Sequence, residues 1–537
     1  MLISNFVFSQ WSISNLERNA LISIYNSTNG VNWNRTWNLQ NDPRTWFGVV
    51  VKNGTVTELN LSGNALKGSF PANIASLSKL TKLDLSNNQL AGDVPTGISS
   101  ISTLTKLDIS NNRLTGNPAA ALAGLFNVED LALGGNFFAI ADANALLQNF
   151  NNIRILNIAD LGLTNIPAKI IAFANIESLN LDNNLIPANA FANIANHPNL
   201  KSLSLSGMQL TEIPYQVSQL TQLTTLNLSS NKLTEQNVSG LSTLTNLQWL
   251  SLENNQLAQI PAQIAQLQKL QTLNLGRNKI SGGLSLLQGL NNLQQLFLNN
   301  NLLSGNFPQE FLSMPKLLML NLNSNQLSGD LYDRLPEITH LSNNRFNKAQ
   351  LSNYITDYNL QTELDYSPQR YDSEKEVLGV IGQFAKLDQS LSGNEYTFSW
   401  YKNLDQKVNN NSADLTFNSV AEEDYATYTA EAYTYSVLDN NAFFEVSLFR
   451  EPISLVKVLG TAETAKYFNI YPNPTSDVLN IVSSKYDIQK VHIYDLSGKQ
   501  MLSESKSRID VSKLPSGVYM LIIKTQEGNK NFKFIKQ

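Results

Sequence analysis

The chain has no cysteine among its 537 residues. That excludes disulfides, thiolate nucleophiles, cysteine-bound zinc and iron–sulfur clusters together. Histidine is nearly as scarce: His197, His340 and His492 are the only three, too far apart in sequence to show a metal-ligand spacing. Charged residues make up 15%, against about 25% in ordinary soluble domains. Asn, Ser, Thr and Gln must therefore cover much of the surface. A net charge of −5 and the lack of a basic run leave no electrostatic footprint for nucleic acid or an anionic membrane. No run of about 18 apolar residues is present, so no transmembrane helix is expected. The phosphate-loop, dinucleotide, nucleophile-elbow and zinc-protease signatures are also missing. The chain reads as non-enzymatic, with no metal and no cofactor.

What is present in abundance is repetition. "LTKLDLSNNQL" at 80–90 returns as "LTKLDISNNRL" at 104–114. The pattern L-x-x-L-x-L-x-x-N-x-L places its Asn at 64, 88, 112, 136, 184, 231, 255, 278, 301 and 325, with Leu161 and Met208 in two of the slots, at steps of 23 to 25 residues. A degenerate copy follows around Asn344. L-x-L is a period-2 strand, so stacked copies build one parallel sheet with its leucines inward. The Asn is suited to bonding backbone groups where the strand bends away. Leu161 and Met208 break that series, and looser turns are expected there. Between strands, "SFPANIASLSKL" and "QIPAQIAQLQKL" predict short helical or 3₁₀ turns on the convex side.

These copies resemble the leucine-rich repeat family, over about 56–350 with twelve regular copies and one degenerate. The "L-x-G-x-x-P" copies at Gly68 and Gly92 are similar to the plant-receptor subclass. The fold expected is an α/β leucine-rich-repeat solenoid with a concave parallel sheet, followed by two small all-β sandwiches. Residues 16–55 are read as an N-terminal cap: "NLERNALISIYNST" as a helix, then an aromatic stretch that is similar to plant-type caps through Trp46, Gly48 and Val49. That family's paired cysteines are missing, so Trp33, Trp37 and Trp46 are expected to hold the cap by burial.

After the array, "YTFSWYKN" and "DYATYTAEA" resemble strands of an immunoglobulin-like sandwich over 365–456, with Trp400 in its core, Tyr428 at the tyrosine corner, and Gln389 and Ala430 where a disulfide would stand. At 465–537, "FNIYPNPTSDVLNI", "VHIYDLSGKQM", "LPSGVYMLII" and "KFIKQ" resemble, in order, the type A sorting domain of the type IX secretion system. That resemblance implies delivery by the secretion machinery to the outside or outer surface of a Gram-negative cell. It also implies an export signal, and residues 1–15 are then read as a signal-peptide remnant, with a disordered terminus as the alternative.

Two places on the concave face hold candidate function. Asp84 and Asp108 fall on successive coils, and strands about 4.8 Å apart would put their carboxylates near the roughly 5 Å used by retaining glycosidases. Their column, however, reads Asn60, Asp84, Asp108, Ala132, Asn157, Asn180, Ser204, Asn227, an ordinary small-polar series. In the neighbouring column Glu58 is expected to pair with Lys82, and Lys106 with Asp130. Trp249, Phe297 and Met319 depart from the pattern, with Leu318 and Arg277 on the same side. Large apolar and arginine side chains on an open strand face are what binding surfaces use. The reading is a non-catalytic surface protein that binds a protein or glycan through Trp249, Arg277, Phe297, Leu318 and Met319. The alternatives are a spacer of the cell envelope and a glycan hydrolase using Asp84 and Asp108.

Overall fold

The computed structural model describes residues 12–140, 142–195, 197–332, 334–357, 363–408, 410–438, 443–457, 467–495 and 500–537. Most of the expected signal remnant, 1–11, lies outside them. The chain divides into two compact units, Met1–Gln369 with Ser436–Val446, and Arg370–Tyr435 with Ser447–Gln537.

The first unit is built on a 15-stranded sheet in which the strands follow one another in chain order. Its opening strand, Val49–Lys52, is antiparallel to Thr55–Asn60. The later strands add in parallel, each about three residues long, such as Lys82–Asp84, Thr272–Asn274 and Met319–Asn321. The middle leucine of each points inward, and Leu83, Leu107, Leu250 and Leu273 are fully buried. Short 3₁₀ turns follow prolines on the convex side, as at Ala72–Ser76 after Pro71 and Ala262–Gln266 after Pro261.

The inter-strand segments are of more than one kind. Coils reading "LKGSFP", "LAGDVP" and "LTGNP" add a second small sheet, Lys67–Ser69, Gln89–Asp93 and Arg113–Thr115, and late coils add Ser304–Asn306 with Gln326–Ser328. Gly92, Gly116, Gly305 and Gly329 sit there at φ of 76°, 67°, 84° and 79°, a left-handed conformation disfavoured with a Cβ. Coils reading "LTEIP" and "LAQIP" lack the glycine and lack the strand.

Wherever the buried Asn is present, it ties its coil to the one before it. Asn278 donates its amide to the carbonyls of Leu252 in the previous coil (2.9 Å) and of Leu275 and Gly276 in its own (3.0 and 3.1 Å). Its Oδ1 accepts the Leu257 N–H at 3.1 Å. The expected loosening at Leu161 and Met208 takes a milder form. Both side chains are buried in the core, and their backbone N–H groups donate to Asn184 (3.2 Å) and Asn231 (3.1 Å) of the following coils. What is given up is the set of amide bonds that an Asn in those slots makes, both back to the preceding coil and within its own turn.

The ends are closed differently. At the amino end the helix Asn15–Ser27 starts at a Ser14/Glu17 capping box, and buried Glu17 also accepts the Val56 N–H at 2.9 Å. Trp33, Trp37 and Trp46 are buried, with centroids 4.9 Å apart for Trp33 and Trp37 and 4.8 Å for Trp37 and Trp46. Each indole N–H donates to a backbone carbonyl, of Thr28, Phe47 and Asn38 respectively, at 2.9 Å. Gly48, at φ 77°, has no room for a side chain, because a Cβ there would meet the Asn60 carbonyl oxygen at 1.8 Å.

At the carboxyl end the array runs past the expected boundary at 350. The degenerate copy keeps its full set of Asn344 bonds. The helix Lys348–Asp357 buries Leu351, Tyr354 and Ile355, and Glu363–Asp365 then adds one more parallel strand beside Ile338–His340. Buried Gln369 takes over the role of the ladder Asn: it donates to the carbonyls of Leu341 (2.9 Å) and Tyr366 (2.6 Å) and accepts the Phe346 N–H (3.2 Å).

The second unit is all β. Around Trp400, which is fully buried, the strand Thr397–Lys402 pairs antiparallel with Thr427–Val437 and sets Trp400 opposite Ala430. Tyr428 Oη donates to the Asp424 carbonyl at 2.8 Å. Gln389 is linked by hydrogen bonds to Tyr371 and to the Ala413 carbonyl. Further on, two antiparallel sheets of three and four strands, from Phe468–Tyr471 to Gly528–Lys536, share a core that includes Leu479, Ile493, Leu521 and Phe534.

Removing one ladder amide weakens four inter-coil and intra-coil bonds in a dry interior, so Asn278→Ala should lower the unfolding free energy of the repeat unit by about 2–4 kcal/mol. Gln248→Ala, on the exposed face, should change it by no more than about 0.5 kcal/mol. Urea melts of the two variants beside wild type check this, and equal midpoints would contradict the ladder's role.

Candidate functional site

The parallel register aligns outward side chains in columns along the concave sheet. One runs Glu58, Lys82, Lys106, Asp130, Ile155, Ser178, Ser202, Thr225, Trp249, Thr272, Gln295, Met319, Ile338, Glu363. The column two residues on runs from Asn60, Asp84 and Asp108 to Phe297, Asn321, His340 and Asp365.

In the first coils the charges cancel one another. Glu58 meets Lys52 at 3.0 Å and Lys82 at 3.4 Å. Lys106 reaches Asp84 at 3.5 Å rather than the expected Asp130, and Asp130 is taken by Arg154 at 3.0 Å. The reason is lateral reach: Asp84 lies diagonally across from Lys106 in the neighbouring column, while Arg154 carries a longer, forked group to Asp130. Such exposed pairs contribute at most about 1 kcal/mol each.

Asp84 and Asp108 do occupy paired positions on adjacent strands. Each is turned onto its own coil, accepting the backbone N–H and hydroxyl of Ser86 (3.2 and 2.7 Å) or of Ser110 (3.1 and 2.6 Å). Burial is the main cause that raises the Asp108 carboxyl above the ordinary range, with the neighbouring Asp84 charge adding to it. Burial raises Asp182 in the same way, with hydrogen bonds from Ser204 and Ser206 and no carboxylate among the causes. The perturbation thus follows from sitting against this part of the sheet and does not need a carboxylate pair.

The five expected binding residues separate into a group and two outliers. Leu318 is 50% exposed, immediately before half-buried Met319. On the adjacent strand, Phe297 stands diagonal to Met319, since Gln295 faces Met319 and Phe297 faces Asn321. Trp249 is half-buried in the Met319 column but three strands away, roughly 14 Å at the usual strand spacing. Arg277 is not on a strand. It occupies the turn at φ 55° and pairs with Glu253 at 3.5 Å. Ile338, beside Met319 on the next strand and half-buried, joins the group. Sequence reasoning misses it because it belongs to the degenerate copy, where Thr339 replaces the inward leucine. Among the described residues no group of three or more His, Asp or Glu stands ready to hold a metal ion, and no helix is long and apolar enough to cross a membrane.

Comparison with known families agrees with this geometry. Leucine-rich-repeat models match 55–77, 79–101 and 103–125, and 198–257, 221–280 and 245–303. The model of the secretion system C-terminal sorting domain matches 469–537. The chain carries leucine-rich repeats and a type IX secretion sorting domain. Among solved structures, it is similar to a leucine-rich-repeat protein of Leptospira interrogans, at 27% identity over 56% of this chain and 76% of that one, with a TM-score of 0.46. An internalin of Listeria monocytogenes matches at 27% identity over 52% and 86%, TM-score 0.39. The ectodomain of the Arabidopsis receptor kinase HAESA, in complex with a peptide hormone ligand, matches at 26% identity over 67% and 57%, TM-score 0.43. No curated protein sequence matches the chain. The sorting domain indicates secretion to the bacterial cell surface.

A carboxyl whose folded pKa is raised holds its proton more tightly when folded, so its contribution to stability falls as pH rises from the ordinary carboxylate range through the raised value. An amide in place of the Asp108 carboxyl, never charged, would lack that loss. Asp108→Asn should therefore be at least as stable as wild type at neutral pH, with the gap opening as pH rises through that window. Thermal melts across pH check it, and a variant clearly less stable at pH 7 would assign Asp108 an ionised structural role.

Proposed function

We propose that this is a non-catalytic binding protein of the bacterial surface, whose concave repeat face engages a protein partner through Leu318, Met319, Phe297 and Ile338. The observation that carries this is the group of apolar side chains on a sheet whose other outward positions are mostly polar, with Ile155 and Trp249 the separate exceptions, where uncovered apolar area is costly and coverage by a partner is favourable. Three aliphatic side chains beside one phenyl ring suit the side chains of a protein better than a sugar, which stacks on broad aromatic faces. Trp249, three strands off, forms a secondary contact. The region around Trp400 and Tyr428 is read as an immunoglobulin-like module that spaces or supplements the binding face. The sorting domain delivers the whole, and adhesion to a host or to another bacterium is the use this arrangement fits.

The spacer reading predicts that the apolar group can be lost without consequence. Leu318→Ser with Phe297→Ala should leave the melting temperature within a few degrees of wild type and lower adhesion of cells displaying the protein at least tenfold. Unchanged adhesion would favour the spacer. Deleting 465–537 in a host with the secretion system should retain the truncated chain inside the cell, and its normal appearance at the surface would refute the delivery route.

A further inference from the structure

The apolar group does not stand alone on the last coils. One and two strands beyond Met319, the same face presents Glu337 and Glu363, both exposed, and Asp365, partly exposed. Unlike Glu58, Asp84 and Asp130, neither Glu337 nor Glu363 has an ion-pair partner among the described residues. Asp365 is held in place: its Oδ2 accepts from Ser342 Oγ (3.2 Å) and Asn323 Nδ2 (3.3 Å) and lies 3.5 Å from His340 Nδ1. Its Oδ1 has no partner among the described residues. From Gln294 to Asp365, no outward position of the strands holds a lysine or arginine. The amino-terminal coils neutralise their own carboxylates, and the carboxy-terminal coils leave theirs open beside exposed hydrocarbon.

We propose that the partner segment is a cationic–apolar one: an extended stretch of protein that sets a large apolar side chain against Leu318, Met319, Phe297 and Ile338 and a Lys or Arg against Glu337, Glu363 and Asp365. The spacing is specific. The Met319 strand and the Glu363 strand are two steps apart, so the two subsites are separated by roughly 5–10 Å across the sheet. An extended chain advances about 3.3–3.6 Å per residue and returns to the same face every second residue. An apolar residue and a Lys or Arg two positions apart therefore reach both subsites, whereas adjacent ones point to opposite sides. Charge complementarity selects this occupant: an acidic or neutral segment would leave Glu337 and Glu363 facing it without a counter-charge, and Asp365 with only its hydrogen bonds and His340 beside it.

This rests on the proposed binding face, and the experiment separates the two. The full chain is titrated with four synthetic extended peptides of equal length: one with Leu and Arg two positions apart, one with them adjacent, one with Glu in place of Arg, and one with Ser in place of Leu. The first should bind at least tenfold more tightly than each of the others and should weaken steeply with salt. Glu363→Gln/Asp365→Asn should remove about tenfold from the first peptide and nothing from the Glu peptide. Leu318→Ser should reduce binding of the first peptide, with an unchanged melt as the control for folding. If the Glu peptide binds as well as the Arg peptide, and Leu318→Ser weakens both, the face is right and the cationic partner is wrong. If Leu318→Ser changes nothing, or no peptide binds, the inference falls, and in the former case the binding face falls with it.

Discussion

The buried Asn amide is the interaction on which the rest of this structure depends. A coil of about 24 residues cannot bury its own leucines, and its backbone turns sharply where the strand ends, leaving carbonyl and N–H groups inside a dry interior. One planar amide with two donors and an acceptor satisfies groups on two coils at once, as Asn112 does for Leu85, Ile109, Ser110 and Leu90. That fixes the distance and register between neighbours. The outward columns inherit their alignment from it, so a binding face becomes possible without any residue of the face holding itself in place.

Because the inward positions are committed, variation is confined to the outward ones and to the inter-strand turns. The Leu-x-Gly turns at 66–68, 90–92, 114–116, 303–305 and 327–329 add a second sheet, whereas "LTEIP" and "LAQIP" do not. The cap follows the same logic: without cysteine, four packed aromatic rings, Tyr25, Trp33, Trp37 and Trp46, close the first coil, and every indole N–H meets a carbonyl. Burial supplies what a covalent bond supplies elsewhere, and it remains compatible with any redox compartment the chain crosses on its way out.

The repeat, the column register and the aromatic cap are legible in the sequence because each follows from a short-range period or from a composition that leaves one physical solution. The departures from expectation have equally local causes. Pairing Lys106 with Asp130 treats column membership as contact, whereas a flexible lysine chooses among diagonal neighbours as well. Arg277 belongs to the left-handed turn position shared with Asn254 and Asn300, not to the strand face. The last coil escapes the repeat pattern because "ELDYSPQ" at 363–369 hides the form of "KLDLSNN" at 82–88: Tyr366 stands for the inward Leu85 and Gln369 for Asn88. A pattern that admits Gln as a longer amide, at the ordinary 25-residue step from Asn344, finds it.

That additional coil changes the character of the candidate site. Ending the sheet at the degenerate copy makes Leu318, Met319 and Phe297 look like scattered apolar exceptions near a frayed end. With the strand Glu363–Asp365 in place they lie inside the sheet, with a further coil and a carboxylate group beyond them. An exposed hydrocarbon surface at a solenoid's edge has a structural explanation, since edge coils expose core. The same surface two coils from the edge, with the core closed behind it by the helix Lys348–Asp357 and by Gln369, has none. The departure from the small-polar pattern is then a property of the concave face itself and not of a fraying end.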